Sequence, residues 1–378
     1  MRRQLFHLIL LAVLGMAAMS CDRRPLEETF ETGAYADILL VTDWSKLEDP
    51  NFTGMTAIFY PTDGGTPTRI TSNNTERNVV RLRRGSYHIL VFNQSETEFG
   101  SMTFDGMGSL FTAEAMLKPL ESGNESTADD YNWFYGLSEV KDSGFVAYRE
   151  PEYLNAQSIK EYDVTDAMTK EYARQTATGE TFYADTIYMT PPPVVPTLHI
   201  TISVKGIENC RSIKAYITDM AESQLLGAEQ NSSKSACQVI SHWTRHISES
   251  DPTVGAFTAD IRTFGVPGMY IYGNATVPAK ATRASSITTE NILNRLRVFF
   301  NLRDGKTMTP YSWDVTEKMS YAQSELRLDI TLDQGTKESG ETGPIILPDV
   351  DDDGKTDTGA GFDATVEDWD NKDEHIQI

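Results

Sequence analysis

Leu198-His199-Ile200-Thr201-Ile202-Ser203-Val204-Lys205 alternates an apolar residue with a polar one along its whole length. A period of two puts Leu198, Ile200, Ile202 and Val204 on one face of a strand and the other four residues on the opposite face, so one side meets a core and the other meets water. The pattern returns downstream, where Leu326, Leu328, Ile330 and Leu332 alternate with Arg327, Asp329 and Thr331. Outward from these two stretches, strands are predicted over 38–41, 55–60, 66–71, 79–82, 87–92, 182–189, 257–264 and 296–302. Asp63-Gly64-Gly65, Arg84-Gly85, Val266-Pro267-Gly268 and Asp304-Gly305 supply turn chemistry between them. Helical spacing is confined to 159–174 and 220–227. Short strands at intervals of roughly ten residues predict an all-β fold built from sandwiches, not alternating βαβ units.

A junction is expected at Pro191-Pro192-Pro193 and Pro196, because consecutive prolines cannot donate ladder hydrogen bonds and favour a stiff, extended chain. This places an N-terminal sandwich over 36–190 and a C-terminal one over 191–340. Residues 341–378 are left as an acidic segment with a terminal strand.

The start of the chain has a different character. Arg2 and Arg3 precede an apolar run over 5–18, broken only by His7 and too short to span a bilayer, as in an export signal over 1–20. Ala18-Met19-Ser20-Cys21 resembles the lipobox of bacterial lipoproteins, which implies that Cys21 becomes the mature N-terminus and carries lipid. Acyl chains, at roughly 0.8 kcal/mol per buried methylene, would hold the protein to a membrane through a polar tether over 21–35.

The 378 residues contain 33 Lys+Arg against 55 Asp+Glu, a formal net charge of −22. Such a surface cannot neutralise phosphates, and no nucleic-acid partner is expected. Three cysteines are too few for a disulfide scaffold, a zinc ribbon or an iron–sulfur centre. Cys210 and Cys237 either pair as a disulfide in an exported protein or remain as two buried small hydrophobes. Cys237, His242 and His246 have metal-like spacing but lack the glutamate that a zinc hydrolase needs. Asp349, Asp351, Asp353 and Asp357, with Gly354 at the turn, follow the oxygen-ligand spacing of a Ca²⁺ loop, although Ala360 stands where a bidentate Glu belongs. A solvated acidic linker fits the same residues. No Gly-x-Ser-x-Gly elbow, phosphate loop or dinucleotide fingerprint occurs, so no enzymatic activity is expected.

The lipobox, Gly85 to Asn93, Val204-Lys205-Gly206-Ile207, Thr263-Phe264-Gly265, Asp304-Gly305 followed by Asp314-Val315-Thr316, and Gly361-Phe362 through Trp369 to Ile376-Gln377-Ile378 resemble the fimbrillin-type lipoproteins of Bacteroides and its relatives. More narrowly, the chain is similar to the minor fimbrial anchor subunits. The resemblance implies two tandem transthyretin-like β-sandwiches, an outer-membrane lipid anchor at the cell surface, and pilus subunits as partners through strand or edge pairing. Polymerising fimbrillins are opened by cleavage after an arginine; Arg83 and Arg84 are available but lie beside a predicted strand, which favours an unprocessed anchor or accessory subunit. Asp185-Thr186-Ile187 resembles the O-glycosylation acceptor of these bacteria. The alternative is a glycan-binding surface lipoprotein using Trp133, Tyr135, Trp243, Trp313 or Trp369 as sugar platforms. The terminal strand over 362–378, with Val366, Trp369, Ile376 and Ile378, is expected to complete its own sandwich, with subunits binding at another edge.

Overall fold

The computed structural model describes residues 34–49, 51–120, 128–268, 294–316, 319, 325–330 and 346–350. The fold is all-β, as expected. Among the described residues the helices are short: α1 (Ala128–Gly136), α2 (Ser138–Ser143), α3 (Asp166–Thr176) and one 3₁₀ turn. The chain divides into two compact units. One holds the residues up to Lys46, Phe52–Asn93 and Gln157–Pro191; the other holds Leu47–Asn51, Gln94–Ala156 and the chain from Pro192.

In the first unit, β1 (Tyr35–Thr42) runs between β4 (Arg77–Arg83), antiparallel to it, and β10 (Asp185–Met189), parallel to it. The second sheet has the order β3 (Thr68–Ser72), β2 (Met55–Pro61), β5 (Gly85–Asn93), β9 (Ala156–Val164). Alternation explains the packing: Ala36, Ile38 and Leu40 of β1, Val80 and Leu82 of β4, and Ile187 and Met189 of β10 enter one core with Met55, Ala57, Phe59, Ile89 and Val91. The helical spacing over 159–174 resolves into β9 followed by α3. Thr165 divides them: its backbone is extended and its hydroxyl accepts the Met168 N–H as an N-cap.

The second unit is built on β11 (Thr197–Lys205), the stretch read first. It pairs with β17 (Val254–Arg262), which pairs with β16 (Thr244–Ile247), and on its other side with β20 (Glu325–Ile330). A five-stranded sheet faces it, ordered β19 (Met308–Asp314), β18 (Arg295–Leu302), β12 (Cys210–Ala221), β15 (Ser235–Ile240), β8 (Ala147–Tyr148). Leu198, Ile200, Ile202 and Val204, each at most 1% exposed, meet Ile213, Ala215, Ile217, Val298 and Phe300 between the sheets. A smaller sheet orders β14 (Gln230–Asn231), β13 (Ser223–Leu225), β7 (Glu114–Leu117) and β6 (Met102–Asp105).

Two expectations need correction. Residues 220–227 are not helical; they end β12 and form β13. The ladder with β15 shifts register between Ile217 and Met220, with Asp219 at φ 54°, and this bulge breaks the period of two so that the spacing mimics a helix. Residues 94–156, read as part of the first sandwich, group with the second unit. The reason is pairing: β8 lies alongside β15 (Cys237↔Ala147), and β7 alongside β13 (Gln224↔Ala115).

Candidate interaction edge

Tyr188 sits in the middle of β10 and is 75% exposed. Ile187 and Met189 on either side point into the core, and strand alternation turns Tyr188 outward. Opposite it in the ladder is Val41 of β1, and Val41 in turn faces Arg77 of β4. Val79, 47% exposed, stands one row away opposite Leu39. The outer face therefore carries Tyr188, Val41 and Val79 together with an arginine.

β10 is also a sheet edge, and an edge strand offers unpaired backbone donors and acceptors to any extended segment that approaches. The other edges carry the features that ordinarily blunt such pairing. β4 presents Arg77, Arg81 and Arg83; β3 contains Arg69; β9 contains Lys160, Glu161 and Asp163. β16 has Arg245 and His246, β19 contains Pro310, the β20 sequence alternates Glu325, Arg327 and Asp329, and β6, β8 and β14 are very short. In β10 the one charge is Asp185 at its start. Thr186, within the acceptor-like triplet, is half-buried in the strand, and its N–H donates to the Asp185 carboxylate (2.8 Å).

The neighbouring charges are committed to structure. Arg81 forks onto Asp37 (2.7 and 3.0 Å), and the Tyr172 hydroxyl from α3 donates to the same carboxylate (2.5 Å). Burial opposes ionisation of Asp37, yet the hydrogen bonds from Arg81 and Tyr172 outweigh it and hold the carboxyl below the usual range. Arg84 pairs with Asp166 (2.9 Å). Arg83 lies within the β1–β4 ladder opposite Tyr35, and the Arg84 N–H donates to Ala34 (2.9 Å), so the Arg83–Arg84 backbone is tied into the sheet.

The remaining sequence candidates are placed as follows. Cys210 and Cys237 are both free and buried, so the disulfide alternative is not realised. They occupy opposite sides of the five-stranded sheet, Cys210 in the core between the sheets and Cys237 in the outer cluster with Val239. Burial pushes the Cys210 thiol up to about 11 and raises that of Cys237 as well, so both are unreactive as thiolates. His246 Nε2 meets the Thr258 hydroxyl (2.9 Å), His242 meets Ser241, and no metal-holding group of three or more ligands occurs among the described residues. Asp349 is exposed between the buried Leu347 and Val350; Asp351, Asp353 and Asp357 lie outside the described residues, as do Cys21, Trp369 and the 362–378 strand. Trp133 and Trp313 are 7% and 6% exposed, and Trp243 packs against the inter-sheet core. The Tyr135 hydroxyl donates to the Leu120 carbonyl and accepts the Ala147 N–H (3.1 Å). Each of these four aromatics is used in packing.

Sheets packed face to face around apolar cores define an all-β protein of the sandwich class. The chain belongs to the family described as a domain of unknown function (DUF5119), whose model matches residues 20–241. Among solved structures it is similar to a candidate adhesin from Bacteroides ovatus ATCC 8483, at 17% identity and a TM-score of 0.51, covering 82% of this chain and 96% of that one. Looser likenesses include a candidate polysaccharide-binding protein from Bacteroides thetaiotaomicron (8% identity, TM-score 0.41, 78% of this chain and 91% of that one). Another is the fimbrial anchor protein Mfa2 from Porphyromonas gingivalis (10%, 0.37, 78% and 88%). No curated protein matches. The fimbrillin-like resemblance drawn from the sequence thus holds at the level of fold.

Proposed function

We propose that the protein is a lipid-anchored cell-surface subunit of an adhesive, fimbrillin-type assembly, held at the outer membrane through Cys21 and serving as an anchor or accessory subunit. The observation that carries this reading is the β10 edge, whose only charge lies at its start and whose tyrosine faces solvent. An extended segment of a neighbouring pilus subunit would pair with its backbone and set alternate side chains beside Tyr188. The fold shared with a candidate adhesin supports the same reading. The ladder around Arg83 and Arg84 is consistent with an unprocessed subunit, since a protease needs an extended, untied segment. No catalytic role is assigned to Asp37, Asp166, Asp185, His242 or His246, each of which is engaged in a local hydrogen bond or ion pair.

The test has two arms. Cys21→Ser is expected to move the protein from the membrane fraction to the soluble fraction, and unchanged partitioning rejects the anchor. Tyr188→Asp is expected to abolish co-purification with fimbrial subunits while leaving the melting curve unchanged. Retained co-purification rejects β10 as the binding edge.

A further inference from the structure

The five-stranded sheet is apolar on both faces. Its inner face belongs to the sandwich core, whereas its outer face presents Tyr216, Cys237, Val239 and Phe299. Over this outer face lie α1 and α2, which contribute Trp133, Phe134 and Val140. The contacts are aromatic: Phe134 stands edge-on to Tyr216 with centroids 5.2 Å apart, and Trp133 edge-on to Phe299 at 5.7 Å. Two charged contacts join the layers among the described residues: Lys214 Nζ of β12 lies 5.6 Å from the Trp133 ring centroid, and Glu139 meets Arg297. Glu139 of α2 takes both Nε (3.2 Å) and a terminal nitrogen of Arg297, and the Tyr216 hydroxyl donates to it at 2.6 Å.

Neither helix has much stability of its own. They contain nine and six residues, far below the length at which an isolated helix persists. Tyr131, Asn132, Trp133, Phe134 and Tyr135 are all mediocre helix formers, and Gly136 follows directly. The residue preceding α2 is Leu137, which supplies no side-chain cap. The helices are therefore helical because they are docked, and undocking and melting are one event. The inter-sheet core, by contrast, contains no residue of α1 or α2.

We propose that α1 and α2 form a detachable cover, latched by Glu139 onto Arg297 and Tyr216, that opens without unfolding of the sandwich beneath it. Opening bares the strip of Tyr216, Cys237, Val239 and Phe299. The two buried cysteines report on this independently, since Cys237 lies under the cover and Cys210 on the other side of the same sheet.

The experiment is native-state maleimide labelling of the full chain carrying Cys21→Ser, with each thiol resolved by peptide mass. Cys237 is expected to react at least roughly tenfold faster than Cys210, and Glu139→Gln to raise the Cys237 rate by a further factor of about ten while leaving Cys210 unchanged. Equal rates in the parent, an unchanged Cys237 rate in the variant, or a parallel rise of both thiols means that cover and sandwich open only together, and overturns the proposal. Should Glu139→Gln fail to fold, Tyr216→Phe removes one partner of the same carboxylate and is read identically. Amide exchange over 131–143 in the parent must also outpace that over Cys210–Ala221, and slower exchange there overturns the proposal as well.

Discussion

Asp37 and Gly206 show how single residues constrain the two units. The Asp37 carboxyl, 18% exposed, is held below its ordinary range by Arg81 and Tyr172, so its stabilising contribution is complete above the unfolded carboxylate pKa and is lost as pH falls through the folded value. Asp37→Asn is expected to cost about 1 kcal/mol at neutral pH and to flatten the acid limb of a plot of Tm against pH. An unaltered acid limb assigns that sensitivity to other groups. Gly206 sits at φ 77°, and a Cβ there would stand 2.6 Å from the Leu347 carbonyl oxygen, while the Leu347 N–H donates to Lys205 (2.9 Å). Gly206→Ala pays for the left-handed backbone, about 1–2 kcal/mol, and also pushes Leu347 away. Tm is expected to fall by several degrees, and Leu347→Ala in the same chain should add less than its own separate cost, because both changes act on one contact.

At the scale of elements, the edge strand is where sequence and fold meet most clearly. β10 was legible as a strand over 182–189, and its place at an edge has a local sign: Pro191 follows two residues beyond its end, and a strand running into proline does not continue within a central ladder. The parallel pairing of Leu40 with Ile187 had no local sign, because partners so distant in sequence are chosen by topology. β12 and β15 went unread for another reason. Both are buried on both faces, so Ala215, Tyr216 and Ile217 show no alternation to detect. The cover helices were equally silent, since their residues favour helix only when docked. Backbone pairing at β10 implies a further outcome: Ile187→Pro is expected to abolish subunit binding and to lower Tm, whereas Thr186→Val should leave binding intact, which a surface plasmon resonance titration against fimbrial subunits would check. Loss of binding in Thr186→Val would assign recognition to the hydroxyl instead of the edge.

For the whole molecule, the segment Gln94–Ala156 decides how the chain can be divided. Cutting at the proline run alone leaves this segment with the wrong half, because its strands pair with β13 and β15. We propose that each unit folds alone when the division respects this. A chain ending at Pro191, with Asn93 joined to Gln157 by a short flexible linker, is expected to give a cooperative melt and β-type circular dichroism. The uncut fragment to Thr190 is expected to expose the apolar faces of α1 and α2 and to aggregate. If both behave alike, the excised segment is not an insertion belonging to the second unit.

Leu347 and Val350 lie in the inter-sheet core of the second unit, so the core that β11 enters is completed only by residues far downstream of it. A polypeptide emerging from a ribosome or a translocation pore has its first sandwich complete once Met189 appears. Its second sandwich must wait, with the β11 edge uncovered until β20 arrives and the core incomplete until Val350 has been delivered. Maturation therefore has a direction in time. The interval between those two residues is when the chain most needs a chaperone, and a stall within it leaves one finished sandwich attached to one open half.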